Sequence, residues 1–148
     1  MTEWEATQNE KKETLMSKSA RLIADDFLDD LARLATASPR LRMHCDMRTS
    51  DKDTSQRMLN ALDKGTLVPV HRHPDTTETQ LLLRGVIDVT FWDDDGREIA
   101  RHRIDPKNGV YGIDIPAGTW HSLEVIEPGV LFEAKDGAFR PADAKDVR

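Results

Sequence analysis

The sequence predicts an all-β fold, a sandwich or barrel, with one α-helix at its N-terminal side. Three observations carry that prediction. A hydrophobic period near 3.6 is confined to the stretch before Pro39. After Pro39 the period is two. Turn residues then punctuate the chain at close, even spacing, as in sandwiches and barrels.

The elements follow in order. Residues 1–17 are polar, charged and without periodicity, and read as a flexible extension in which Trp4 is the one residue suited to docking. Residues 18–148 then form one domain, with a helix at about 19–37. Ser17 or Ser19 is placed to cap it. Ile23, Phe27, Leu31 and Leu34 share one side, flanked by Leu28 and Ala35, while Asp25, Asp26, Asp29 and Asp30 take the solvent side. Ser38-Pro39 ends it, because a residue before proline is pushed out of helical geometry. The apolar face is expected to pack on the outside of the barrel.

Nine short strands are expected next: Arg42 to Arg48, Ser55 to Leu62, Thr66 to His73, Thr79 to Leu83, Val86 to Trp92, Arg97 to Ile104, Val110 to Ile115, Trp120 to Ile126 and Val130 to Lys135. Gly85 is read as ending the fourth. Asp93-Asp94-Asp95-Gly96 marks a hairpin. After Phe139 the tail is polar and expected to be irregular.

Composition narrows the function. With 148 residues the chain is one ordinary domain, and 38% hydrophobic and 32% charged residues suit a globular protein. A net charge of -6 argues against nucleic acid and anionic membranes, which attract basic surfaces. The N-terminal stretch lacks the apolar core of a signal peptide, and no run is long enough to span a membrane, so a cytoplasmic location is expected. The single cysteine, Cys45, fits a reducing compartment and reads as a small buried hydrophobe.

The chemistry concentrates in two segments. His71 and His73 are two apart on an extended segment, so both imidazoles point to one face. Pro74 opens a loop, and Glu78 re-enters at the start of the next strand. Two imidazoles and a carboxylate converge in this way on one point, a donor set suited to zinc, iron, manganese or nickel. In the second segment, Pro116 and Gly118 make a tight turn and His121 opens a strand, where it could supply a fourth ligand from the other side of the barrel. Three of the five histidines lie in these segments. His44 and His102 lie elsewhere and read as surface or packing.

Around this core, Gln80 shares parity with Glu78 and should face the same cavity. Gln56, Met58 and Asn60 share one face of their strand and Arg57 takes the other, and the sequence leaves open which face is inside. Arg57 is either a surface residue or a holder of a substrate carboxylate or phosphate. Tyr111 reads as core, with general acid as the alternative. Glu133 and Lys135 share a face of the last strand and read as a solvated edge pair, with a cavity pair as the alternative. Trp120 reads as packing.

The stretch Gly-x5-His-x-His-x4-Glu-x6-Gly, from Gly65 to Gly85, resembles the first cupin motif at every defined position. Pro116, Gly118 and His121 fit the second. Gly109 stands one residue too far upstream for it, and Val125 takes the place of its asparagine. The resemblance implies a jelly-roll-like double-stranded β-barrel holding a divalent metal on His71, His73, Glu78 and His121, and it implies a homodimer.

A further resemblance, from Leu28 to Pro141, is to the WbuC-type cupin-fold metalloproteins. It rests on Ser38-Pro39-Arg40-Leu41-Arg42, Gln56-Arg57-Met58-Leu59-Asn60-Ala61-Leu62, His71-Arg72-His73-Pro74, Asp93-Asp94-Asp95-Gly96 and Ile115-Pro116-Ala117-Gly118-Thr119-Trp120-His121-Ser122. It implies a small polar, sugar-related ligand in surface-polysaccharide metabolism. The expected activity is a metal-dependent isomerase or epimerase. A ligand-binding or sensory module and a metal-dependent dioxygenase are the alternatives.

Overall fold

The computed structural model describes residues 20–148. The expected extension, Trp4 and the capping serines Ser17 and Ser19 lie outside the described residues. Helix α1 spans Asp25–Ala37. Its strands are β1 (Arg42–Asp46), β2 (Ser55–Leu62), β3 (Val68–His71), β4 (Glu78–Trp92), β5 (Glu98–Ile104), β6 (Gly112–Ile115) and β7 (Trp120–Asp136).

The helix starts later than the expected residue 19. Ile23 precedes it and is 45% exposed. Asp25 and Asp26 occupy its first turn, where negative charge suits the positive end of the helix dipole. Leu28, Leu31 and Ala35 bury the apolar face against Cys45, Leu59, Ala61 and Val130. Asp25 and Asp29 tie the helix to the sheet through the two arms of Arg84.

Nine expected strands become seven because two expected breaks are bends. β4 runs 15 residues through Gly85, and β7 runs 17 residues through Pro128-Gly129. The two pair antiparallel along their lengths, with register shifts between Leu82 and Ile87. Such bulges bend and twist a strand without ending it. The backbones touch at the bend, where a Cβ on Gly85 would lie 2.5 Å from the Gly129 Cα. Gly85 also has φ +93°, a conformation that costs other residues energy.

Bending lets each long strand serve two sheets. The sheet under the helix runs β1, β2, the C-terminal half of β7, the N-terminal half of β4, and β6. The other runs β3, the N-terminal half of β7, the C-terminal half of β4, and β5. This is the expected all-β, jelly-roll-like barrel with an N-terminal helix. Leu62, Leu82, Ile87, Ile104 and Leu131 fill one end of its interior.

The tail, expected to be irregular, carries one 3-10 turn at Ala144–Asp146 and is anchored. Val147 bridges His71, and the Arg148 amide donates to the Val70 carbonyl at 2.8 Å. Arg72 Nε donates to the buried Asp146 carboxylate at 2.7 Å. Among the described residues, no helix is long and apolar enough to cross a membrane.

Candidate metal centre

The end of the barrel opposite the apolar core holds the polar residues. Cross-strand register places His71 of β3 opposite His121 of β7. In the other sheet Glu78 of β4 lies opposite Lys135 of β7. The loop after β3 carries His73 back towards Glu78. One ligand atom from each of His71, His73, Glu78 and His121 lies within 4.8 Å of all the others. The four residues expected as ligands meet at one point.

Backbone carbonyls aim two of the rings. His71 Nδ1 donates to Pro69 O at 2.8 Å, and His121 Nδ1 donates to Thr119 O at 2.9 Å. With Nδ1 protonated, each Nε2 carries a lone pair, and such a second partner is the usual orienting device for a metal-binding histidine. Glu78 Oε2 stands 3.3 Å from His121 Nε2 and 3.0 Å from His73 Nε2. His121 Nε2 and Glu78 Oε2 are buried without a hydrogen-bond partner. A lone pair facing a carboxylate oxygen is repulsive unless a cation, either a proton or a metal ion, lies between them. Glu78 Oε1 is separately fixed by the Gln80 amide at 3.0 Å.

The electrostatics keep two of the donors, His71 and Glu78, in metal-binding form. Burial, reinforced by the facing His121, pushes His71 down to about 4, so its ring is neutral near pH 7. Burial alone would raise the Glu78 carboxyl. The imidazoles of His121 and His73, the Lys135 ammonium and the Gln80 amide outweigh it and hold Glu78 well below the usual carboxylate range. Burial, together with the Glu78 charge, pushes Glu133 up to about 7.

The residues fit a divalent metal: three imidazoles and one carboxylate, with two orphaned acceptors at their centre. Bound there, a metal would polarise an oxygen of a ligand or lower the pKa of a bound water.

A cavity of about 560 Å³ opens from this point. The structure settles the face of β2 that the sequence left open. Gln56, Met58 and Asn60 line the cavity, whereas Leu59 and Ala61 pack beneath the helix. Arg57 reaches the cavity rim, but its guanidinium is held by Asp53 at 3.0 Å.

Two readings need correction. Glu133 and Lys135 are a cavity pair, because the bend in β7 carries them over the opening between Met58, Gln56 and the start of β4. Tyr111 is neither core nor cavity, being 64% exposed. Its carbonyl accepts the Leu82 amide, which holds the backbone to the barrel and leaves the ring outside. His44 is exposed, as read, and its place on the surface is the cavity mouth, since it shares parity with Arg42 on β1.

The remaining readings fit. His102 packs edge-on against Phe91. Cys45 is buried, and burial pushes its thiol up, which disfavours the reactive thiolate. Trp120 is buried, lies beneath the Arg72 and Arg148 guanidiniums, and donates to Asp94.

The fold matches several solved structures. Oxalate oxidase in complex with the substrate analogue glycolate aligns with TM-score 0.58 at 13% identity, over 72% of this chain and 56% of that one. The capsular polysaccharide assembling protein CapF from Staphylococcus aureus aligns with TM-score 0.53 at 23% identity, over 60% of this chain and 24% of that one. The conserved SPY1581 protein of unknown function from Streptococcus pyogenes aligns with TM-score 0.57 at 15% identity, over 84% of this chain and 93% of that one. At these identities the likeness shows the fold, that of the cupins. The chain spans about a quarter of CapF and just over half of the oxalate oxidase. No curated protein matches the chain. Residues 23–104, from the helix to the end of β5, match the family described as "Domain of unknown function (DUF6016)", and the chain belongs to that family.

Proposed function

We propose that this protein is a WbuC-type cupin metalloprotein that binds a divalent metal through His71, His73, Glu78 and His121. Its ligand is a small, polar, sugar-related molecule of surface-polysaccharide metabolism. Residues 18–148 act as one domain, in the cytoplasm, as a homodimer.

One observation carries the metal reading. Backbone carbonyls hold the Nδ1 protons of His71 and His121, so their Nε2 lone pairs converge with a buried carboxylate oxygen that has no hydrogen-bond partner. Zinc, iron, manganese and nickel all suit this donor set.

Glu133 favours catalysis over passive binding. It is a carboxyl lining the same cavity as the four converging residues, within reach of a bound ligand, where it can take or give a proton. Isomerisation or epimerisation of a sugar, which moves a proton on carbon, is the reaction class that uses such a group. The resemblance of the fold to CapF, named for capsular polysaccharide assembly, supports the sugar context.

Cobalt(II) substitution tests the reading. Loaded protein should show visible absorption from imidazole and carboxylate ligation, and a panel of aldoses, ketoses, sugar acids and sugar phosphates should include members that perturb it. The His121→Ala variant should lose the bands. A wild-type protein with no cobalt bands, or bands that no sugar perturbs, would contradict it.

A further inference from the structure

The whole chain carries a net charge of -6, yet its cavity is lined by more cations than carboxylates. Five arginine and lysine side chains line it, Arg40, Arg42, Arg48, Arg57 and Lys135, against the carboxyls of Asp46, Glu78 and Glu133. Two of the cations are already paired. Arg48 grips Asp46 with two nitrogens, and Arg57 is held by Asp53. Among the described residues, the other three, Arg40, Arg42 and Lys135, have no carboxylate partner in an ion pair.

Their placement defines a path. β1 is an edge strand, and Arg42, His44 and Asp46 lie on its cavity side with Arg48 just beyond. Arg40 and Arg42 therefore stand at one end of this rim. At the other end, register sets Lys135 between Gln56 of β2 and Glu78 of β4. Adjacent strands are about 5 Å apart, so Lys135 is one strand from the convergent ligands. Glu78 is already engaged by Gln80 and faces the imidazoles. The Lys135 ammonium acts on Glu78 and Glu133 from a distance but closes no ion pair with either, so it is placed to receive an anionic group.

We propose that the cavity takes an anionic ligand, a carboxylate or phosphate, whose charged group sits on Lys135 beside the metal centre. Arg40 and Arg42 attract it along the β1 rim. This inference rests on the proposed function and narrows it from polar sugars to sugar acids or sugar phosphates. A positive slot in a negative protein concentrates anionic ligands by focusing the field. A charge-assisted contact to Lys135 then fixes the anion's position.

Three probes of one size make the test: glycerol, glycerate and glycerol phosphate, titrated by calorimetry into metal-loaded and chelator-treated protein. Either anion, or both, should bind at least about tenfold more tightly than glycerol, with affinity falling as salt rises. The better of the two identifies the group as carboxylate or phosphate. Lys135→Met should remove most of that preference while the metal content stays unchanged, and Arg40→Met should lower it by less. Equal binding of glycerol and both anions, a preference that survives in the Lys135→Met variant, or no binding of any probe would overturn the inference. Loss of the metal reading is a separate result. In that case the protein takes up no metal but still prefers anions through Lys135.

Discussion

The two ends of the barrel interior lie on the same strands and have opposite chemistry. On β7, Leu131 is fully buried in the core, while Glu133 and Lys135, on the same face, line the cavity. On β4, Leu82 belongs to the core, whereas Gln80 and Glu78 belong to the site. On β2, Leu62 closes the apolar end and Gln56 stands at the open one. Side-chain alternation sets which face is interior, and position along the strand sets whether that interior stores stability or performs chemistry. Substitutions at the two ends should therefore separate folding from function.

The largest effect is expected at the apolar end. Leu131→Ala should cost about 2–5 kcal/mol in urea unfolding and leave the metal stoichiometry of folded protein unchanged. A loss of metal without loss of stability would break the separation.

The next effect reverses with pH. Glu133 titrates near its ordinary 4.5 when unfolded and at about 7 when folded. A raised pKa means that its contribution is full below about pH 4.5 and is lost as pH rises through 7. Glu133→Gln removes that loss. In chelator-treated protein it should add up to about 3 kcal/mol of stability at pH 8 and little at pH 4. Equal effects at the two pH values would show that Glu133 is not held in its protonated form.

A smaller effect is expected at the anchored tail. Asp146→Ala removes the partner of Arg72, and hydrogen bonds to charged groups contribute about 1.5–3 kcal/mol. Because the tail is bridged to His71, the same variant should release metal faster on addition of a chelator. Unchanged release would show that the tail does not support the ligand.

The smallest effect concerns Arg57. Its partner Asp53 sits on the surface loop before β2, and such pairs contribute about 0–1 kcal/mol. Arg57→Ala should leave unfolding and metal content nearly unchanged.

These residues also show what was legible beforehand. His71, His73 and Glu78 could be read because a period of two and one short loop determine where their side chains go, and His121 because a proline and glycine turn precedes it. The face of β2 could not be read, since Met58 and Leu62 on one side match Leu59 and Ala61 on the other in apolar character. Helix packing decides between them. Glu133 and Lys135 were missed because Pro128-Gly129 reads locally as a break, and only pairing with β4 shows a bend. The tail contact joins Arg72 to Asp146, 74 residues apart, and no local pattern announces it.

The most direct test of the central claim is the metal content of purified protein by elemental analysis, compared with a His71→Ala/His121→Ala double variant. The account predicts close to one divalent ion per wild-type chain and little in the folded variant. A wild-type protein that stays metal-free after incubation with zinc, iron, manganese and nickel would contradict it, leaving a proton as the cation between His121 and Glu78.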